Sequence, residues 1–540
     1  MKQKSLLLLL FALLFTLTGK AQTYDLPKVW QQTPAFLTAE GFGKYATGGR
    51  GGRVVTVTAL EGDAENPPVG SLRWAINQYP NEPVTVVFDV SGWIILKDVL
   101  RLNRKGGITI AGQTAPGEGI TLYPRMFSIN GAKNVIVRNM RFRTGSKGWD
   151  GSDLINGFQG TVDQALCAEN AENVIFDHCT FGWSAEEIVN NQTSHLQTYQ
   201  YCILHEGLYA AGHHKGSNRS FGCQWGGAQS TFHHNMLIHN YSRSPRIQGA
   251  RKSAGDIVVY NEFVNNVIYN WGRHGACYGG ENDQDGVYSG HQVNYCNNYY
   301  KPGPATKRAI TNPSNYTFFS PSSATMVSEW HFSGNYMDGN ATITADNSKG
   351  IVNDNTALIK LYDQWLEPTV FYPGYKFNLE KYTYKNKMQT AQEAYTDVIA
   401  KVGCLTRDGI EKRLIEECSN GTATYGGSCG NGTYGIIDDP LDAEMKKNTN
   451  GSYYYPDEKK ESRASGWDTD GDGMPDAWED DYGFNKNNAA DGNYVNAEGY
   501  TALEKYLGSL MGEEITGTFT APGSFMKIVA KDGSGDYTTV

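Results

Sequence analysis

From Val84 onward the chain alternates short apolar runs with polar breaks, and the runs share one theme. Val84 to Val90, Ile108 to Ala111, Phe127 to Ile129, Asn134 to Phe142, Asn173 to Phe181, Leu196 to Leu204, Ser230 to Ile238, Ile257 to Tyr269 and Gln292 to Tyr300 each mix β-branched and aromatic residues with Asn, His or Cys near the end. That content predicts strands. A sandwich would show regular hairpin turns, and a βαβ fold would show helical periods of about 10–15 residues between strands. Neither pattern is present. Rungs divided by Gly and Asn turns predict a parallel β-helix, in which each rung buries its apolar face only by stacking on its neighbours. The recurring Asn134-Val135-Ile136, Asn173-Val174-Ile175 and Asn266-Val267-Ile268 place Asn in successive turns, where it would satisfy backbone groups; His178 would take that place in one rung.

Before the rungs, Val54 to Thr58 reads as a strand, and Gly70 to Ile76 as a short helix with Ser71 as its N-cap. The glycine turn Gly48-Gly49-Arg50-Gly51-Gly52 lacks the GK[ST] ending of a nucleotide phosphate loop. Past Gly303 the rung pattern weakens. Residues 304–460 read as segments folded back on the flank, with helices at Thr390 to Gly403 and around Asp408 to Glu417. The expected organisation is a signal peptide at 1–21, a β-helix domain at 22–445, a charged linker at 446–466, an acidic module at 467–510, and a linker entering a new strand at 511–540.

Composition sharpens this picture. Met1-Lys2-Gln3-Lys4, an apolar run from Ser5 to Thr18 and a small-residue region near Gln22 have the order of a secretory signal, and the run is short of the roughly 20 residues of a membrane span. A secreted, monomeric protein without a membrane span is expected. The net charge of -10 argues against a nucleic-acid partner. It leaves room for a local basic groove. Nine cysteines without a CxxC pair argue against zinc. Cys418 and Cys429 are a candidate disulfide, and the cysteines of the rungs read as small core residues.

Three groups carry candidate chemistry. Asp468, Asp470, Asp472, the Met474 backbone, Asp476 and Glu479 stand at positions 1, 3, 5, 7, 9 and 12 of a loop with Gly473 at position 6, the oxygen pattern of an EF-hand-like calcium site. Asn493 to Glu504 reads as a degenerate partner loop. This calcium is expected to be structural. Arg243 and Arg246 flank Pro245; two arginines so close suit carboxylate binding, or form a surface pair that holds a loop. Asp163, Glu186, Glu187 and Asn190 converge if their rungs stack, and such acids repel unless paired with cations or calcium; a solvated acidic turn is the alternative. His213-His214-Lys215 and His233-His234-Asn235 are secondary candidates. No G-x-S-x-G elbow is present, and support for a two-carboxylate hydrolase is weak.

Asn173-Val174-Ile175-Phe176-Asp177-His178-Cys179-Thr180-Phe181-Gly182-Trp183-Ser184, His214-Lys215-Gly216, Phe232-His233-His234-Asn235 and Arg243-Ser244-Pro245-Arg246 together resemble the pectate lyases of polysaccharide lyase family 1, in the form typical of Bacteroidetes. Gly70-Ser71-Leu72-Arg73 and Thr109-Ile110-Ala111-Gly112-Gln113-Thr114-Ala115-Pro116-Gly117 fit the same group, and the resemblance spans about residues 39–435. It implies an all-β fold, a right-handed single-stranded parallel β-helix, that cleaves α-1,4-polygalacturonate with calcium as cofactor. Arg243 matches the arginine that takes the C5 proton, and Lys215 the lysine that binds substrate carboxylate, with Arg246, Gln248 and His214 as further substrate contacts. Asp163, Glu186 and Asn190 match calcium ligands, with Glu187 a close extra candidate. Asn190 stands where an acid is commoner, and Gln248 where the pattern has a second arginine. The module at Asp468 resembles calcium repeats appended to such lyases, and Lys527 to Val540 resembles the opening of a pectin methylesterase.

Overall fold

The computed structural model describes residues 32–521 except 63–65, 105, 156–162, 217, 249–257, 274, 281–289, 323–326, 353–358, 369–382 and 431, together with 529–531 and 537–539. The expected signal peptide lies outside the described residues. So does part of the expected esterase start, of which Val529–Lys531 and Tyr537–Thr539 form an antiparallel pair.

Three parallel sheets wind along one axis. The first has 11 strands running from Arg53–Val57 to Ile359–Tyr362; the second carries strands from Glu61–Gly62 to Tyr336–Met337; the third has 8, from Leu100–Arg101 to Phe319–Pro321. Successive coils pair in register, as in Val174↔Gln197, Tyr199↔Phe232 and Phe232↔Phe263. The fold is therefore a parallel β-helix.

Several apolar runs that are continuous in sequence are two strands bent at a corner. Lys133–Arg138 meets Met140–Arg143 at Asn139, and Glu172–Asp177 leads to Thr180–Gly182 through His178; these corner residues are left-handed, with φ of 55° and 52°. Tyr201, His234, Asn265 and Asn297 take the same corner in later coils. One left-handed residue turns the chain from one sheet into the next, a conformation for which Asn and His are enriched. The residue after the corner builds a ladder. Asn235 donates to Asn266 at 3.0 Å, Asn266 to Asn298 at 3.1 Å, and Asn298 to Asn335 at 2.8 Å, each also donating to a backbone carbonyl of the preceding coil. Inside, side chains of like position stack: Phe142 on Phe181 at 5.1 Å, and Phe263, Tyr295 and Phe332 at 4.7 Å spacing.

The rungs do not stop near Gly303. Phe319–Pro321, Ser328–Ser333, Tyr336–Met337 and Ile359–Tyr362 extend all three sheets. Their patterning is weak because Ser328–Ser333 is only half buried. Ser71 caps the helix Leu72–Asn77, and capping boxes at Thr390 and Asp408 start Ala391–Lys401 and Gly409–Asn420. These last two helices pack Val398, Ile410 and Leu414 against Ile203, Met236 and Val267 of the second sheet. Beneath them Arg141 meets Glu411 at 2.7 Å and Arg143 meets Asp408 at 2.5 Å, all deeply buried.

Residues 446–466 are not an open linker. Glu461–Ser462 adds an antiparallel edge to Val90–Leu96, and Tyr455 stacks on Trp93 at 5.3 Å. The acidic module seats Met474, Leu503 and Leu507 against Val87 and Ala111 of the first sheet and its corner. Cys418 and Cys429 are both free, as are the other seven cysteines; Cys418 faces the helix seam and Cys429 a separate cluster with Ala305 and Ile436, which corrects the disulfide expectation. Among the described residues, no helix is long and apolar enough to cross a membrane.

Candidate active site

The site lies on the third sheet. Glu187–Asn190, Phe221–Trp225, Arg246–Ile247 and Cys277–Gly279 stack as neighbouring coils, with Asn190↔Gln224, Gln224↔Arg246 and Arg246↔Tyr278 in one row. Ile188, Val189, Cys223, Trp225 and Ile247 pack into the core. Polar groups of this row reach one another instead: Gln224 donates to Gln192 at 2.5 Å and to Gln248 at 2.6 Å.

Arg243 occupies the turn before Arg246–Ile247 with a left-handed φ of 58°. That conformation is uncommon for a residue with a Cβ, and neighbours on several sides hold it. The Arg243 carbonyl accepts from Cys223 N–H at 2.8 Å, Arg243 Nε donates to the Tyr278 hydroxyl at 2.9 Å, and Nη1 donates to Gln224 Oε1 at 3.1 Å. Its guanidinium lies 3.9 Å from the Phe221 ring centroid and forms an ion pair with Glu187. Burial lowers the Arg243 pKa from its ordinary value; Tyr278 opposes this and Arg246 adds to it. Arg246 lies over the Tyr278 ring at 5.7 Å.

Across the row, Glu186 accepts from His213 Nε2 at 2.6 Å and from Arg219, whose guanidinium covers Phe221 at 4.5 Å. Phe221 thus carries two guanidinium groups and spaces them. His213 Nδ1 accepts the Lys215 backbone N–H at 3.0 Å, so the exposed His214-Lys215 tip is tied to Glu186 through its neighbour. Asp163 accepts from Arg125 Nε at 2.5 Å and Met126 N–H at 3.2 Å. The Ser184 hydroxyl donates to the carbonyls of Asp163 and Glu187, joining the two acidic segments. Asn190 Nδ2 donates to Glu169 at 2.8 Å.

The sequence candidates therefore share one neighbourhood, in which each acid has an arginine of its own: Arg125 for Asp163, Arg219 for Glu186, with the His213 imidazole as a further donor, and Arg243 for Glu187. The four carboxylates that converge most closely among the described residues lie elsewhere. In this arrangement Asp163, Glu186, Glu187 and Asn190 are not a preformed calcium cage. Sequence reasoning missed Arg125, Arg219, Phe221, Gln224 and Tyr278. Nothing in their local pattern marks them; only coil stacking brings them together. His233 and His234 lie apart, buried in the corner column with Tyr201 and Tyr384.

In the module, Asp470, Asp472 and Glu479 do come together, joined by Asp491. Asp468 instead accepts from Gly471 and Gly473 N–H at 2.7 and 2.8 Å, and Asp476 from Thr469 N–H at 2.7 Å. The degenerate partner loop is not a second cage, because Glu504 caps its own helix at Thr501 and pairs with Arg50 at 2.8 Å.

Cations set on the outer face of stacked coils suit a polyanion lying across them, so the chain is of the class of parallel β-helices with a row built to face an acidic polymer. No protein-family model matches it. The probable pectate lyase C of Emericella nidulans is 31% identical over 490 residues, covering 90% of this chain and 94% of that protein. The probable pectate lyase C of Aspergillus flavus is 31% identical, covering 88% and 94%. The major allergen of cedar pollen is similar in structure at 16% identity and a TM-score of 0.46, covering 68% of this chain and 93% of its own. By its likeness to the fungal enzymes, the chain belongs to the pectate lyase family.

Proposed function

We propose that the chain cleaves α-1,4-polygalacturonate by β-elimination at the third-sheet groove, with Arg243 as the base. The observation that carries this is the setting of Arg243: a guanidinium whose pKa is lowered by burial, oriented by Tyr278 and Gln224, with Arg246 close by. The C5 proton, next to the C6 carboxylate, passes to Arg243; its electron pair forms the C4=C5 double bond; the C4–O bond breaks, and the departing oxygen takes a proton from water. The product end is an unsaturated uronate. Arg246 and Lys215 supply positive charge toward the substrate carboxylates, and Gln248 holds Gln224. Positive charge near C6 stabilises the carbanion character of the transition state.

An arginine acts as a base only when deprotonated, and its ordinary pKa exceeds about 12. The Glu187 ion pair favours the protonated form, so catalysis requires Arg243 to leave Glu187 when substrate enters. Calcium dependence, which the resemblance implies, is part of the proposal and carries a condition. The ion requires Asp163, Glu186 and Glu187 to give up their arginine partners, and substrate carboxylates would complete its shell.

The test follows ultraviolet absorbance of unsaturated ends on polygalacturonate, methylated pectin and alginate, with and without chelator. Arg243→Ala is expected to lose about 10²–10⁴-fold in kcat, the range for a general base; a normal rate overturns the assignment. Saturated reducing ends would indicate a hydrolase, and binding without cleavage a glycan-binding protein. Against the hydrolase reading, the groove acids described above are engaged by arginines rather than set as a pair across a scissile bond.

A further inference from the structure

A different kind of acidic cluster stands in the C-terminal module, which packs on the first sheet. Asp470, Asp472, Glu479 and Asp491 each place a carboxylate oxygen within 4.8 Å of the others. Asp472 and Asp491 are 3% exposed and Glu479 is 0% exposed. Asp470 Oδ2, Asp472 Oδ2, both Glu479 oxygens and Asp491 Oδ1 are buried without a hydrogen-bond partner. Buried carboxylates are ordinarily paired, hydrogen-bonded or bound to metal. Oxygens on opposite sides of a calcium ion are about 5 Å apart, so the cluster has the span of one ion.

Asp491 lies outside the loop whose spacing marks it as a calcium site. It belongs to the turn Asp491–Asn493, beyond the helix Asp476–Tyr482. The two pieces are in close approach: a Cβ on Gly492 would stand 2.5 Å from Asp472 Oδ2. Each piece also grips the β-helix separately. Met474, two residues after Asp472, is fully buried against Val87 and Ala111, and Asn493, two residues after Asp491, donates to the Gly52 carbonyl at 3.2 Å. An N-terminal strap, residues 33–50, is tied to the same module, through Arg50 to Glu504 and Thr38 to Glu513 at 2.6 Å.

We propose that Asp470, Asp472, Glu479 and Asp491 form a calcium cage that is completed only by Asp491, and that the ion staples the module and the N-terminal strap to the first sheet. An all-carboxylate protein cage suits calcium, whereas magnesium holds its waters and demands a tighter octahedron. Without the ion, repulsion acts between the two pieces that hold Met474 and Asn493 in place. This staple is independent of the groove chemistry.

The experiment uses the full chain stripped of metal, titrated with Ca²⁺ and with Mg²⁺ by calorimetry and followed by limited proteolysis. Calcium is expected to bind outside the groove and to slow cutting within 467–513 by more than about tenfold, consistent with ligand binding to the folded form, with magnesium much weaker. Asp491→Asn should weaken that binding by more than about tenfold, because affinity follows ligand charge, and Asp491→Glu by less; Asp476→Asn, outside the cage, should leave it intact. Circular dichroism of the β-sheet verifies that each variant is folded, and Asp491→Glu serves if Asp491→Asn is not. Unaltered calcium affinity in both Asp491 variants overturns the cage, and calcium binding without proteolytic protection overturns the staple.

Discussion

The groove and the C-terminal module both gather carboxylates, and they solve the resulting repulsion in opposite ways. In the groove each acid faces an arginine; in the module four acids face one another, with oxygens that have no partner. An acid with its own arginine is held without a metal, while a buried cluster of acids asks for one. The difference teaches that acidic content in a sequence does not locate a cation site. What locates it is whether basic groups from neighbouring coils arrive first. Glu262 is an intermediate case: it is buried with no arginine, yet it accepts from Thr231 at 2.8 Å, Thr383 at 2.7 Å and Tyr384 N–H at 3.1 Å.

The comparison can be broken at each of these acids. Arg141→Met removes the cation from Glu411 at full burial while Arg143 still pairs with Asp408, and should cost about 3–5 kcal/mol in denaturant unfolding. A cost near zero would mean that arginine pairing does not hold these acids in place. Glu262→Gln tests the intermediate case. Burial raises the Glu262 pKa from 4.5 to about 7. The folded state then holds the proton longer than the unfolded state, so wild-type stability should fall as pH rises from about 4.5 to about 7, by on the order of 3 kcal/mol. The variant should lose that slope and keep the rest of the pH profile.

Asp472→Asn should change sign with conditions. Without metal it relieves repulsion and stabilises the module; with calcium at 100 times its dissociation constant, the variant should lack a gain of about 2.7 kcal/mol. Thermal unfolding with chelator and with calcium reads both signs. Arg219→Met has the smallest expected effect, about 1.5 kcal/mol, the low end for a hydrogen bond to a charged group, because His213 still supports Glu186. If Arg219→Met also raised KM for polygalacturonate several-fold, Arg219 would be placed in contact with substrate.

Much of the fold was legible in the sequence. Runs of β-branched and aromatic residues ended by Asn or His marked the coils, and Ser71, Thr390 and Asp408 marked helix starts, because these features act over a few neighbouring residues. His178 was legible as a turn residue, but the bend at Asn139 and the passage from one sheet to another at both positions were not. A single left-handed residue divides one apolar run into strands of two sheets without changing its composition. Past Gly303 the rung pattern weakens although coils continue to Tyr362, since these later coils bury fewer of their side chains.

For the site, local motifs brought forward Arg243, Lys215 and the acids near Glu186. Their partners Arg125, Arg219, Gln224 and Tyr278 come from other coils and carry no motif. The module shows the same division. Loop spacing marked Asp470, Asp472 and Glu479, but also Asp468 and Asp476, which the folded chain uses to hold backbone N–H groups. Asp491 could be found only once the turn after the helix had folded back.

The sequence by itself determined the strand-forming runs, the corner residues available to turn them, the helix caps, and which side chains could carry charge, because these depend on chemistry within a few residues. Which acid meets which cation was decided only by the tertiary structure. Pairing distances such as Arg125 to Asp163 and Arg50 to Glu504 are set by the stacking of coils and the folding back of the C-terminal module. A charge's partner is chosen by distance in space, and the stacked solenoid brings residues one coil apart to about 4.8 Å, nearer than residues two positions apart along a single strand.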